Sequence, residues 1–220
     1  MASVTAEWIL ALETSVTNAT LALARNGEIF AQRAFSSERS QECDLFPPLG
    51  SLLSELPDGE RLSTIIVGTG PGSYNGARVG IATAQAVSQV HQCRVAGLCS
   101  FEGVSQASQH ETIWAIGDAR RGSYFLMPIM NGRAQTPPRL LDENEFLSQL
   151  NGCPGLKVTF ESPDRLPEGI ECLEGHSSAG GLLKSWLSRS SDEKDALFNT
   201  SSEAFYLRPP HITKSKKSPL

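Results

Sequence analysis

The stretch at 65–90, IIVGTGPGSYNGARVGIATAQAVSQV, holds the residues most suggestive of chemistry: a glycine-rich turn set between a buried apolar run and a long helical pattern. A turn of that kind at a helix start can present backbone N–H groups to a phosphate. A nucleotide-binding loop also needs a Lys and then a Ser or Thr after its last glycine, to meet the terminal phosphates and hold magnesium. Here Gly76 is followed by Ala77 and Arg78. The dinucleotide fingerprint fails too, because counting from Gly68 or Gly70 puts Ser73 or Asn75 where the third glycine belongs. What remains is a tight turn at 70–73, with Ser73 where a helix N-cap is expected.

The other reactive residue types form no constellation. His91, His110, His176 and His211 include no pair at helical spacing, so no metal site is readable. The five cysteines, at 43, 93, 99, 153 and 172, are odd in number and contain no Cys-x-x-Cys pair. They read as reduced thiols acting as small buried hydrophobes.

The helix that follows the turn has an unusual face. Gly76, Gly80, Ala84 and Ser88 recur every four residues as a nearly side-chain-free ridge, beside an apolar stripe of Val79, Ala82, Ala86 and Val90. Glycine inside a helix costs about 1 kcal/mol relative to alanine, so two on one face imply a close contact that compensates. That contact is either the chain's own sheet or another subunit, and packing logic alone does not separate the two. If a partner is met there, Gly80→Leu weakens association more than folding. If the ridge packs internally, the order reverses.

Composition sets the frame. The chain has 220 residues, 40% hydrophobic and 20% charged, with a net charge of −5, which argues against binding nucleic acid mainly through its own field. The apolar run at 8–12 is too short for a signal-peptide core or a membrane span, so a cytoplasmic location is expected.

Periodicity predicts a strand at 9–12, a hairpin around Asn26-Gly27, a helix at 41–56, a strand at 64–68, the helix at 76–91 and a strand at 94–98. The plan then restarts, with a strand at 113–117, a hairpin around Asn131-Gly132 opening a strand from 133 onward, and a helix at 143–150. A strand at 157–161 and a helix at 180–187 follow. Glu13 precedes Asn26 by 13 residues, and Asp118 precedes Asn131 by the same distance. The repeat predicts an α/β, duplicated ribonuclease-H-like fold of two lobes, the actin, sugar-kinase and Hsp70 architecture. The lobes are expected at 1–105 and 106–208, with a mobile basic tail at 209–220.

In that architecture the carboxylates ending the first strand of each lobe, here Glu13 and Asp118, point into the cleft, where they can position magnesium and water. The hairpins beside them read ETSVTNAT and DARRGSY, and the first contains no glycine to turn amides toward an anion. Thr14 and Ser15 could donate hydroxyls and Arg120 could neutralise a phosphate, yet the cleft reads as vestigial. The plainer role of both carboxylates is to cap the turns after their strands.

Four segments resemble the TsaB (YeaZ) family in order and spacing: ILALETS at 9–15, GTGPGSYNGARVGIATAQ at 68–85, GDARRGSY at 117–124 and AFYLR at 204–208. The usual family forms are close to LALDTS, GPGSFTGxRIGxxxAxG, IDARxxEVY and PxYLR. This chain departs from them at Glu13, Asn75 and Ser123, and has Gln41 where the family commonly has a His before an LLP segment, here Leu45-Phe46-Pro47.

The resemblance implies a bacterial, cytoplasmic, non-catalytic dimerisation subunit. Such a protein supports the catalytic subunit TsaD in transferring a threonylcarbamoyl group to the adenosine beside the tRNA anticodon. TsaD is the implied direct partner, with the ATPase TsaE joining through the complex and tRNA met indirectly, while the isolated chain is left as either a monomer or a homodimer. No cofactor is expected on this chain, since ATP and magnesium serve the assembled complex.

The family associates through helices of the N-terminal lobe. That points to Gly72, Ser73, Tyr74, Gly76 and Arg78 at the helix start, and to Val79, Gly80, Thr83, Ala84 and Val87 beyond it. The competing reading is an independent magnesium-dependent ATPase or small-molecule kinase using Glu13 and Asp118.

Overall fold

Side-chain parity decides how the first strand is covered. β1 (Trp8–Glu13) is buried along its whole length. Trp8, Leu10 and Leu12 enter one core, while Ile9 and Ala11 enter another. A strand buried on both faces needs a layer on each. The computed structural model, which describes residues 6–36, 41–205 and 207, supplies both. The tail at 209–220, with Tyr206 and Arg208 of the fourth motif, lies outside the described residues.

β2 (Asn18–Arg25), β3 (Glu28–Ser36), α1 (Gln41–Leu53), β4 (Leu62–Gly68), α2 (Tyr74–His91) and β5 (Arg94–Leu98) complete the first sheet and its cover, in the strand order β3-β2-β1-β4-β5. β1 is antiparallel to β2 and parallel to β4. The β2–β3 turn falls where Asn-Gly predicts it, with Asn26 at φ 52° and Gly27 at φ 82°. α1 stops three residues short of its expected end at 56, where the chain tightens into Glu55 N–H to Leu52 O and Leu56 N–H to Leu53 O bonds before Pro57.

After a turn of 3-10 helix (Ser100–Gly103) and α3 (Ser105–Gln109), the second sheet begins. β6 (Thr112–Asp118), β7 (Ser123–Met130), β8 (Arg133–Ala134) and β9 (Arg139–Asp142) precede α4 (Glu143–Leu150), and β10 (Leu156–Thr159) and β11 (Leu173–Glu174) follow it. The strand expected from 133 onward is split, so that β8 and β9 pair with opposite ends of β7. Pro137 and Pro138 lie between them and offer no N–H to the ladder.

The last two helices are α5 (Ala179–Leu187) and α6 (Ser191–Phe198). The sequence places the first of them in the second lobe, but it packs on the first sheet. Ala179, Leu182, Leu183 and Trp186 fill a core with Ile9, Ala11, Ala22, Ala24, Ile66 and Ala96. Two features select that position. The alanines make this face of the first sheet shallow, and both faces of the second sheet are already covered, by Phe146 and Leu150 of α4 and by Phe101, Val104 and Ala107. The lobe expected at 106–208 therefore does not keep its own C-terminal helices.

α2 resolves the question its sequence leaves open. Its small-residue ridge packs internally: Gly76, Gly80, Ala84 and Ser88 are buried, and a Cβ at position 80 would strike Thr14 Oγ1. That hydroxyl donates to Gly76 O at 2.7 Å, so the first strand's end is bonded to the helix through the ridge. Ser73 is the N-cap, its side chain accepting from the Gly76 amide at 3.3 Å.

At the other end of α2, His91 Nδ1 accepts the Leu62 amide at 3.2 Å, which requires that nitrogen to be unprotonated. Burial, and then the charge of Arg61, hold the imidazole below its ordinary pKa. Protonation therefore favours the unfolded chain. The contribution of His91 is present above the unfolded value of about 6.5 and is lost as pH falls through the lower folded value. Urea unfolding at pH 7 and pH 5 should show a stability decrease on acidification that His91→Phe reduces.

Candidate functional site

In each half, the carboxylate that ends the first strand is bonded to its own turn. The Ser15 amide donates to Glu13 Oε1 at 2.9 Å, and the Arg120 amide donates to Asp118 Oδ1 at 2.6 Å. Both bonds span two residues, so the duplication extends to the caps. One amide of each turn, that of Ser15 and that of Arg120, is occupied by these acids.

Glu13 goes further. It is fully buried, accepts the Ser15 hydroxyl at 2.7 Å and lies 2.9 Å from Ser177 Oγ. Gly68 on the neighbouring strand leaves room for it, since a Cβ there would strike the carboxylate. Glu13 and Thr14 are thus structural rather than cleft-facing, against the expectation that they line the cleft.

The cleft between the sheet ends has a volume of about 690 Å³, and its lining includes Ser15, Gly72, Ser73, Tyr74, Asp118 and Arg120. Arg120 pairs with Asp118 at 3.4 Å and with Glu161 at 3.8 Å, and Arg165 reaches Glu161 at 3.7 Å. Glu161 carries no sequence signal, since it follows a short strand in the second half. Burial raises its pKa, opposed by the charges of Arg120 and Arg165. The turn above Asp118 holds Arg120, Arg121 and Gly122 at φ 66°, 57° and 67°.

The four described cysteines are not prepared for thiol chemistry. Burial raises the Cys93, Cys153 and Cys172 thiols, and burial together with the charge of Glu102 raises Cys99, so these groups stay protonated at neutral pH. Among the described residues no group of three or more His, Cys, Asp or Glu could hold a metal ion, and no helix is long and apolar enough to cross a membrane.

The expected interface residues divide by burial. Gly76, Gly80, Thr83 and Ala84 are buried against the chain's own sheet and cannot touch a partner, which corrects their place in the candidate surface. Gly72, Ser73, Tyr74 and Arg78 are exposed, while Val79 and Val87 are half-buried. Outward from the ridge, α2 presents Tyr74, Arg78, Ala82, Ala86 and Val90 at four-residue intervals, all exposed, with Val90 at 74%.

The Arg78 guanidinium lies 5.2 Å from the centre of the Tyr74 ring. α1 covers the same core beside α2 and exposes Phe46 to 58%. Phe46, Tyr74 and Val90 are thus large side chains left exposed on these two helices. Phe46 escaped the sequence reading because it directly follows Leu45, which takes the buried position of the helical pattern.

Comparison with known proteins agrees with this architecture. The family TsaD, tRNA N6-adenosine threonylcarbamoyltransferase, matches residues 52–137. The tRNA threonylcarbamoyladenosine biosynthesis protein TsaB of Bacillus subtilis is 30% identical over 120 residues, 53% of this chain and 52% of that one. The aligned region thus spans about half of that relative. An uncharacterized protein of Mycobacterium tuberculosis is 28% identical over 190 residues, covering 83% of this chain and 86% of its own. The structure of YeaZ from Pseudomonas aeruginosa superposes with a TM-score of 0.63 at 20% identity, over 82% of this chain and 90% of that one. The fold is the duplicated ribonuclease-H-like α/β architecture.

Proposed function

Because the chain belongs to the TsaB (YeaZ) family, we propose that it is a non-catalytic subunit that binds a TsaD-type threonylcarbamoyltransferase and supports modification of the adenosine beside the tRNA anticodon. The observation that carries this reading is the outward side of α2. Its buried ridge is spent on the chain's own sheet, yet the opposite stripe of Tyr74, Arg78, Ala82, Ala86 and Val90 stays in solvent. Small residues at 82 and 86 let a second helix approach closely, and the larger side chains at 74 and 90 frame the contact.

The cleft supports the non-catalytic half of the proposal. An independent ATPase would need amides free to meet phosphate oxygens, and the Ser15 and Arg120 amides are held by Glu13 and Asp118. In this proposal ATP and magnesium are handled by the assembled complex, a TsaE-type ATPase joins through TsaD, tRNA is met indirectly, and the complex works in the cytoplasm.

Size-exclusion chromatography with light scattering, run on the chain mixed with the TsaD homologue of its own genome, should give a one-to-one heterodimer. Absence of any complex contradicts the proposal. The chain alone with tRNA, threonine, bicarbonate and ATP should yield no modified adenosine, while adding it to the other subunits should raise product formation.

A further inference from the structure

The chain crosses between its sheets at 99–104 and returns at 175–178, and the two crossings are bonded to each other. Ser178 N–H donates to Gly103 O at 3.2 Å, and Ser177 Oγ lies 2.6 Å from Ser100 O and 2.9 Å from Glu13 Oε2. Ser100 Oγ is 2.8 Å from Ser15 Oγ and accepts the Gly70 amide at 3.0 Å. The approach is close enough that a Cβ on Gly103 would strike Ser177 Oγ, and one on Gly181 would strike Gly103 O.

An ion pair forms a second knot. Glu102 and Arg189 are paired with 5% exposure each. The Glu102 carboxylate also accepts the Ser185 hydroxyl at 2.8 Å and the Ala134 amide of β8 at 3.2 Å. Phe101, one residue away, stacks on Phe160 at 3.8 Å and packs in the core of the second sheet. Ser185 sits on α5, whose Leu182, Leu183 and Trp186 fill a core of the first.

Hinges are element ends free to absorb large changes in φ and ψ. Here Ser100, Glu102, Gly103 and Ser177 within those crossings are buried and hydrogen-bonded, and moving either crossing would strand a buried charge or donor. We infer that the paired crossings are a latch that holds the two sheets as one rigid body, so the cleft between them keeps a fixed width. The latch belongs to the chain itself and stands independently of any partner.

Hydrogen exchange read by mass spectrometry on the full chain tests it, with reporter amides at 10–12 and 65–67 in the first sheet and at 115–116 and 125–127 in the second. Both groups should exchange through one global opening, at rates within roughly threefold and with the same denaturant dependence. A variant with Ser177→Ala, Glu102→Leu and Arg189→Leu removes the ion pair and the Ser177 hydroxyl's contacts with Ser100 O and Glu13, keeps the Ser178 N–H to Gly103 O bond, and leaves no newly unpaired charge. Its second-sheet amides should exchange at least about tenfold faster than its first-sheet amides. Ser177→Ala alone, a milder change that keeps the ion pair, should move the ratio in the same direction and serves if the triple variant does not fold. Two exchange classes already present in the unaltered chain, or a single class retained in the variants, would overturn the latch.

Discussion

Arg189→Ala is expected to remove about 3–5 kcal/mol of folding stability, a large share of the total for a domain of this size. The loss comes from what stays behind. Glu102 remains buried and charged without its guanidinium, and the Ser185 hydroxyl and Ala134 amide that it also accepts do not replace a countercharge. The melting temperature should fall by about 6–20 °C, given roughly 2–4 °C per kcal/mol at this chain length. The paired change Glu102→Leu with Arg189→Leu should cost much less than Arg189→Ala, because no charge is then left unpaired. Equal losses in both variants would mean that packing, and not charge, dominates at this position.

Gly80→Leu is expected to unfold the protein, the order that internal packing of the ridge requires. The new side chain would enter the space of Thr14 Oγ1 and press on Val67, and it would break the Thr14 bond to Gly76 O. Overpacking of a close contact costs about 1–3 kcal/mol for small additions, and leucine adds four carbons to glycine. Gly80→Ala supplies the graded control, with a smaller loss visible as a lower urea midpoint. A Gly80→Leu protein that melts like the unaltered chain but fails to pair with a partner would restore the ridge to the interface.

These two sites differ in how far the sequence reveals them. The glycine ridge is visible because its four-residue spacing is local, and that spacing demands a close neighbour, which at Gly80 is a side chain and not another backbone. It does not name the neighbour, which is Thr14, 66 positions away in the chain. The hairpins at Asn26-Gly27 and Asn131-Gly132 are legible for the same local reason, since the dipeptide suits the positive φ angles found there. The equal spacing from each to Glu13 and Asp118 exposes the duplication.

What escapes is chemistry assembled across distance. Glu102 and Arg189 are 87 positions apart, and Glu13 and Ser177 are 164 apart, with no periodicity to join them. The helix at Ala179–Leu187 is legible as a helix, but its sheet is chosen by the shallow alanine face of β1 and β2 and by cover already present on the second sheet.

α2 turns its glycine ridge inward, and in the proposed complex its outer stripe meets a TsaD-type partner. Isothermal titration of that partner with the unaltered chain and with Ala86→Arg, each checked by thermal melting, tests this most directly. Position 86 is exposed, so the substitution should leave the melting temperature within about 2 °C. It would place an unpaired charge in the middle of the contact. Ala86→Arg should lose at least about a hundredfold in affinity. Binding by Ala86→Arg as tight as that of the unaltered chain would contradict it.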